Sequence, residues 1–63
     1  MTDAKEFIGL SKFSGQFLAE SKNMLFHLIS VEGEPFFSYP DVKRDDRICV
    51  EIKNSKIVKA VLQ

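Results

Sequence analysis

Ile48, Val50 and Ile52 alternate with Cys49, Glu51 and Lys53, the period of two that a strand with one buried face requires. Asn54-Ser55 follows at once and separates this run from the β-branched stretch 57–62. A short polar pair between two strand-like runs predicts a tight hairpin, even without the favoured glycine. Upstream, Met24 to Val31 is a nearly continuous apolar run bounded by turn residues. Its length and flanks predict a central strand rather than a helix.

Ahead of these strands the spacing predicts a helix over 11–22. Ser11 is a suitable N-cap, since its hydroxyl can accept a hydrogen bond from an unpaired amide of the first turn. Leu10, Phe13, Phe17 and Leu18 recur at helical spacing, Lys12, Gln16, Glu20 and Lys22 fall largely on the other side, and Asn23 can end the segment. Gly15 inside this helix costs about 1 kcal/mol relative to alanine. The expected reason is close approach of the helix backbone to a sheet, with Phe13 and Phe17 packing to either side. The fold class is then α+β: one helix on a small mixed β-sheet with a long exposed loop, a single domain over 1–63 whose residues 1–6 are flexible.

Composition narrows what such a fold can do. A chain of 63 residues buries only about 60% of its unfolded surface, so its core is marginal. Its single cysteine, Cys49, leaves apolar packing alone to hold the fold and favours a reducing compartment. Nine basic and nine acidic residues cancel, with the signs interspersed. Neither nucleic acid nor an anionic membrane is an expected partner. The first residues carry acid and the apolar ones after them are broken by Gly9, Ser11 and Lys12, unlike a signal peptide. With no run of membrane-spanning length, the expectation is a cytoplasmic protein.

Between the two strand regions lies 32–47, Glu-Gly-Glu-Pro-Phe-Phe-Ser-Tyr-Pro-Asp-Val-Lys-Arg-Asp-Asp-Arg, with neither period. Connections in compact domains are usually about 4–6 residues, and structureless ones beyond about 12–15 are functional or disordered. This segment is the expected binding loop.

Phe-Ile-Gly-Leu-Ser at 7–11, the apolar strand 24–31, Gly33 after it, and Arg44-Asp45-Asp46-Arg47-Ile48-Cys49-Val50-Glu51-Ile52 together resemble the potato inhibitor I family of serine protease inhibitors and its bacterial relatives. In that family a Gly-x-Ser opens the helix, a small residue sits six positions after the glycine, and an Arg-x-Asp-Arg stretch leads from the protease-binding loop into a strand. Here these fall on Gly9, Ser11, Gly15, Arg44, Asp46 and Arg47.

The resemblance implies that residues Phe37, Ser38, Tyr39, Pro40, Asp41, Val42, Lys43 and Arg44 contact the partner, with the scissile bond between Asp41 and Val42. It makes Arg47 the arginine that reaches up from the strand to brace the loop, so that a substrate mimic stays rigid and is cleaved slowly. Two positions depart from the pattern. The second bracing arginine corresponds to Cys49, and a thiol cannot supply that fork of donors. Asp41 suits neither a trypsin-like pocket nor an apolar one, because an unpaired buried carboxylate costs several kcal/mol. The target would need a basic or roomy pocket, or a grip elsewhere.

Each singled-out residue also has a plainer reading. Phe36, Phe37 and Tyr39 are either a recognition patch or, for the phenylalanines, closure of a small core, with Tyr39 the better interface candidate. The charged run from Asp41 to Arg47 is either a recognition surface or a solvated loop knitted by ion pairs worth about 0–1 kcal/mol each. His27 and Cys49 could serve as base and nucleophile, but strand neighbours this apolar favour buried packing. One cysteine and one histidine cannot make a four-ligand zinc site, and the dispersed glycines make no phosphate loop. No enzyme activity, metal or cofactor is expected.

The primary reading is a small module that binds another protein in the manner of a serine protease inhibitor. A second is a binding or regulatory protein on the same scaffold, such as a bacterial or phage factor inactivating a host enzyme, working through the loop aromatics or a sheet edge. A third is a structural subunit that forms a homodimer through an edge strand.

Overall fold

The computed structural model describes residues 3–63. Asp3 caps a single 3₁₀ turn, Ala4–Phe7, and closes a capping box with Glu6. Of the segment 1–6, expected to be flexible, residues 1–2 lie outside the described residues and residues 3–6 belong to this capped turn. Its purpose is packing, since Phe7 is fully buried. Helix α1 spans Lys12–Ser21, with the Ser11 hydroxyl accepting from the Ser14 amide at 3.2 Å. It ends as Asn23 predicts: Asn23 takes φ 57° and Met24 N–H reaches back to the Ala19 carbonyl at 2.8 Å, a Schellman closure.

Four strands follow: β1 Leu25–Val31, β2 Glu34–Pro35, β3 Arg47–Lys53 and β4 Lys56–Leu62. They form one mixed sheet in the order β2-β1-β3-β4, with β1 and β3 parallel and both hairpins antiparallel. The α+β expectation therefore holds, with β1 and β3 central. The core lies between the sheet and α1, where Phe7, Ala19, Met24, Ile48, Val50, Ile52 and Ile57 form one buried cluster. No helix is long and apolar enough to cross a membrane among the described residues.

The helix meets the sheet through its small residues. Gly15 and Ala19 are its buried positions, and a Cβ on Gly15 would stand 2.5 Å from Ile57 Cδ1 and 3.3 Å from Phe26 Cε1. Close approach at Gly15 is thus real, but Phe13 and Phe17 do not flank it. They are 77% and 64% exposed. A gap narrow enough to exclude a methyl group at Gly15 leaves no room for two benzyl side chains, so the larger apolar stripe turns to solvent.

Two bulges set which side chains face α1. In β1 the pairing with β3 slips between Leu28 and Ser30. Val31 thereby joins Phe26 and Leu28 against the core, where an unbroken register would put Ser30. In β4 the register slips past Val58, so that Lys59 rather than Val58 pairs with Glu51. Ala60 and Leu62 then follow Ile57 to the core side. Lys59, Val61 and the residue after Leu62 pass to the other face.

The expected loop 32–47 is shorter than the sequence indicates. Glu32 and Gly33, with φ 52° and 84°, make a two-residue primed turn into β2, and the irregular stretch is 36–46. Proline is tolerated in β2 because the strand is at the sheet edge. Glu32 is strained as a non-glycine residue at positive φ. Its carboxylate offsets this by accepting from the Asn54 and Ser55 amides, each at 2.9 Å, so one hairpin turn caps the other.

Those amides, Ser55 first and then Asn54, hold the Glu32 carboxyl below its ordinary value near 4.5. A folded-state value below the unfolded one stabilises the fold above the unfolded value, and this contribution is lost as pH falls through the folded value. Thermal unfolding of Glu32→Gln and the native chain, compared from neutral pH down past 4.5, is therefore expected to show the native advantage shrinking on acidification. An unchanged difference across that range removes the turn-capping role.

Candidate functional site

Residues 36–46 leave β2, cross the sheet face opposite α1 and re-enter at β3. Their launch point is the β1 bulge, where the Ile29 carbonyl accepts from the Phe36 amide at 2.8 Å and the Phe37 amide at 3.3 Å. Beneath them stand the outward residues of β3, namely Arg47, Cys49 and Glu51, alternating with the core residues Ile48, Val50 and Ile52. Because the β4 bulge reverses the facing of its last residues, Lys59 and Gln63 lie beside them on this same side.

Three side-chain attachments tie the loop down, and one ion pair stiffens it from within. The Tyr39 hydroxyl donates to the Glu51 carboxylate, and Lys59 Nζ lies 5.2 Å from the centre of the Tyr39 ring and 3.7 Å from Glu51 Oε2. Gln63 Nε2 donates to the Pro40 carbonyl at 2.9 Å. Arg47 donates to the Val42 carbonyl at 2.7 Å and, from the same nitrogen, to the Gln63 carbonyl at 2.6 Å. Arg44 pairs with Asp46 through two parallel bonds of 2.7 Å, a bidentate geometry that stiffens the shoulder.

Asp41 lies between two held carbonyls. Pro40 and Val42 are fixed from below, whereas the Asp41 side chain is exposed and makes no hydrogen bond or ion pair among the described residues. Val42 is 71% exposed, and Ser38 and Lys43 are exposed beside it. Arg44 is also exposed, but Asp46 already occupies its guanidinium.

The aromatic residues sort differently from their sequence reading. Phe36 and Phe37 do not close the core; they are 51% and 60% exposed, with the Phe37 ring 5.0 Å from that of His27. Tyr39, the better interface candidate by sequence, is half-buried and engaged below. Burial, then the hydrogen bond to Glu51, push its phenol well above the ordinary value. Tyr39 therefore holds the loop and remains a donor at all ordinary pH.

Cys49 is fully buried under this loop, and the β1–β3 register sets it directly opposite His27, a proximity no sequence pattern signals. No hydrogen bond joins the two side chains among the described residues. Burial pushes the thiol up, against the opposing charge of Arg47, whereas a nucleophilic cysteine needs a lowered pKa and access. Among the described residues the Cys49 side chain holds no loop carbonyl; the Pro40 carbonyl is bonded by Gln63, the residue after β4. Sequence reasoning misses Lys59 and Gln63 as loop anchors because their facing depends on the β4 bulge, and Glu51 because no sequence pattern lays the loop over the outward face of β3. No group of three or more His, Cys, Asp or Glu side chains converges as a metal site among the described residues.

In comparisons with known proteins, no family model, no curated protein and no solved structure matches this chain.

Proposed function

We propose that this protein is a small inhibitor-type module that offers residues 38–44 to the cleft of a serine protease, with Asp41-Val42 at the bond approached. The observation that carries this reading is the pair of carbonyls on either side of Asp41, held by Gln63 and Arg47. A protease reads an extended segment by its backbone and by one side chain inserted into a pocket. A loop whose backbone is fixed from behind while that side chain stays free is already ordered for such a cleft, and avoids the ordering cost of about 0.5–1.5 kcal/mol per immobilised side chain. The resemblance of Arg44, Asp46 and Arg47 to the inhibitor family supports the same reading.

Incubation with trypsin, subtilisin and a serine endopeptidase that cleaves after acidic residues tests it. The expected result is a complex with the acid-specific enzyme, from which the chain is recovered intact or cut only between Asp41 and Val42. Cleavage at several loop positions, with no complex, removes the inhibitor reading. One observation favours a second reading, a non-protease binding protein: Phe36 and Phe37 present an exposed aromatic edge beside the loop, and exposed aromatics make strong interface anchors. Partner capture that survives Asp41→Arg but not Phe37→Ser selects it.

A further inference from the structure

The edge of β1 is open where β2 does not reach it. Strand β2 pairs only Ser30 and Val31, and the Phe36 and Phe37 amides take the Ile29 carbonyl before the chain leaves for the loop. On the other side Leu25 N–H donates to the Asp46 carbonyl at 2.8 Å, with Leu25 in register with Arg47 and His27 with Cys49. In a trans peptide each carbonyl points opposite to the amide that follows it, so the main-chain groups of a strand alternate between its two sides. Those turned away from β3 are therefore the Met24 carbonyl, the Phe26 amide and carbonyl, and the Leu28 amide. Among the described residues no strand or loop bonds to them. We propose that β1 of a second copy of the chain pairs with this edge, antiparallel about a twofold axis at Phe26, and joins the two sheets into one.

The order of these groups identifies the occupant. Along β1 they run acceptor, donor, acceptor, donor, and the same series run backwards is its own complement. Centred on Phe26, an antiparallel copy joins the Phe26 amide of each chain to the Phe26 carbonyl of the other, and each Leu28 amide to the other copy's Met24 carbonyl. A twofold interface needs such a self-complementary patch. Length selects the same occupant. The open stretch 24–28 ends at Asn23, where φ 57° turns the chain from α1, and at Ile29, where Phe36 already stands. A strand of another protein running on past Leu28 would meet Phe36. A second copy does not, because opposite Leu28 it has reached Met24 and departs at Asn23 toward its own helix.

Side chains agree with this pairing. Leu25 is 54% exposed and comes opposite His27 of the other copy, whose ring stands beside the exposed Phe37. Apolar surface otherwise in water is thereby covered. Met-Leu-Phe-His-Leu at 24–28 also holds no lysine, acid or proline, the residues that guard an edge against pairing. The opposite edge of the sheet is guarded. Bonds of 2.8 Å from Gly9 to Ile57 and from Ile57 to Leu10 cover the start of β4, and its remainder carries a bulge and Lys59. Residues 38–44 take no part, so the pairing stands apart from the inhibitor reading.

Sedimentation equilibrium and amide exchange by nuclear magnetic resonance on the full chain, from about 30 µM to about 1 mM, the range for a small interface, test the proposal. The expected result is a reversible dimer. Exchange of the Phe26 and Leu28 amides slows by about threefold or more across that range as the free chain is depleted, while that of amides 41–43 is unchanged. Leu25→Cys and His27→Cys, each on a Cys49→Ala background so that neither thiol can close on β3, read the register. Residues 25 and 27 face each other across the axis with α-carbons about 4.5 Å apart, whereas each stands about 7–8 Å from its own symmetry mate, too far for a disulfide. With oxidised glutathione the mixed variants cross-link and either alone does not. A monomer throughout the range, a dimer whose Phe26 and Leu28 amides exchange at unchanged rates, or a variant that cross-links as well alone as in the mixture overturns the proposal. So does protection of these amides that appears only when a protease is added to a monomeric chain. The exchange measurement uses the native chain, so it decides even where a cysteine variant fails to fold.

Discussion

Asp41→Arg is expected to convert the protein into a tight inhibitor of trypsin-like proteases, with affinity rising by about 10²- to 10⁴-fold. The magnitude follows from removing an unpaired carboxylate from a pocket that already holds a negative charge, a change of about 3–5 kcal/mol, at about 1.4 kcal/mol per tenfold. Nothing in the scaffold opposes the substitution. The Asp41 side chain is exposed and bonds to nothing that holds the loop, because both neighbouring anchors act on main-chain carbonyls. Inhibition constants against trypsin for the native chain and Asp41→Arg, with Asp41→Leu against subtilisin as a parallel, read the effect directly. Two folded variants that are degraded or inert would end the inhibitor reading, since the position argued to be presented would then not be read by a protease.

The second large effect is expected from Arg47→Ala. Its guanidinium joins the Val42 carbonyl to that of Gln63, so truncation frees both the loop and the side chain that holds Pro40. Loss of a hydrogen bond from a charged donor costs about 1.5–3 kcal/mol, and each 1 kcal/mol shifts the melting temperature of a small domain by about 4–8 °C. A fall of roughly 10 °C is therefore expected. On the Asp41→Arg background the loop should change from a slow to a fast substrate, with cleavage by trypsin accelerated far beyond what the loss of stability explains. Arg47→Lys separates the causes, because it retains a charged donor but not the reach and orientation of the one guanidinium nitrogen that bridges the two carbonyls. Cleavage that simply tracks global unfolding in all three proteins would make Arg47 a stability residue and nothing more.

These expectations rest on anchors of which the sequence reveals only some. The β3–β4 hairpin is legible because its signals are local: Ile48, Val50 and Ile52 alternate and Asn54-Ser55 tolerates positive φ. The turn at Glu32-Gly33 is not, since glutamate there is stabilised by amides of a second turn distant in sequence. The facing of α1 fails for another reason. The helix has two apolar stripes, Phe13 with Phe17 and Gly15 with Leu18 and Ala19, and periodicity cannot choose between them. Hydrophobicity favours the phenylalanines, but clearance above Ile57 and Phe26 selects the small residues. At the loop, Arg47 is found by resemblance, whereas Tyr39 and Gln63 become anchors only once the outward face of β3 is known to lie beneath them.

The bulge at Val58 binds the two faces of the molecule into a single reading frame. Upstream of it Ile57 fills the core; downstream, Ala60 and Leu62 continue that role while Lys59 and Gln63 reach the loop. Regular pairing of Val58 with Glu51, without the bulge, would send Lys59 inward and Leu62 outward, unpacking the core and releasing the loop in the same step. The spacing of β4 is therefore less free to drift than its exposed surface implies, and change on this scaffold is channelled to the tip of the loop, where a side chain can be exchanged without moving the frame.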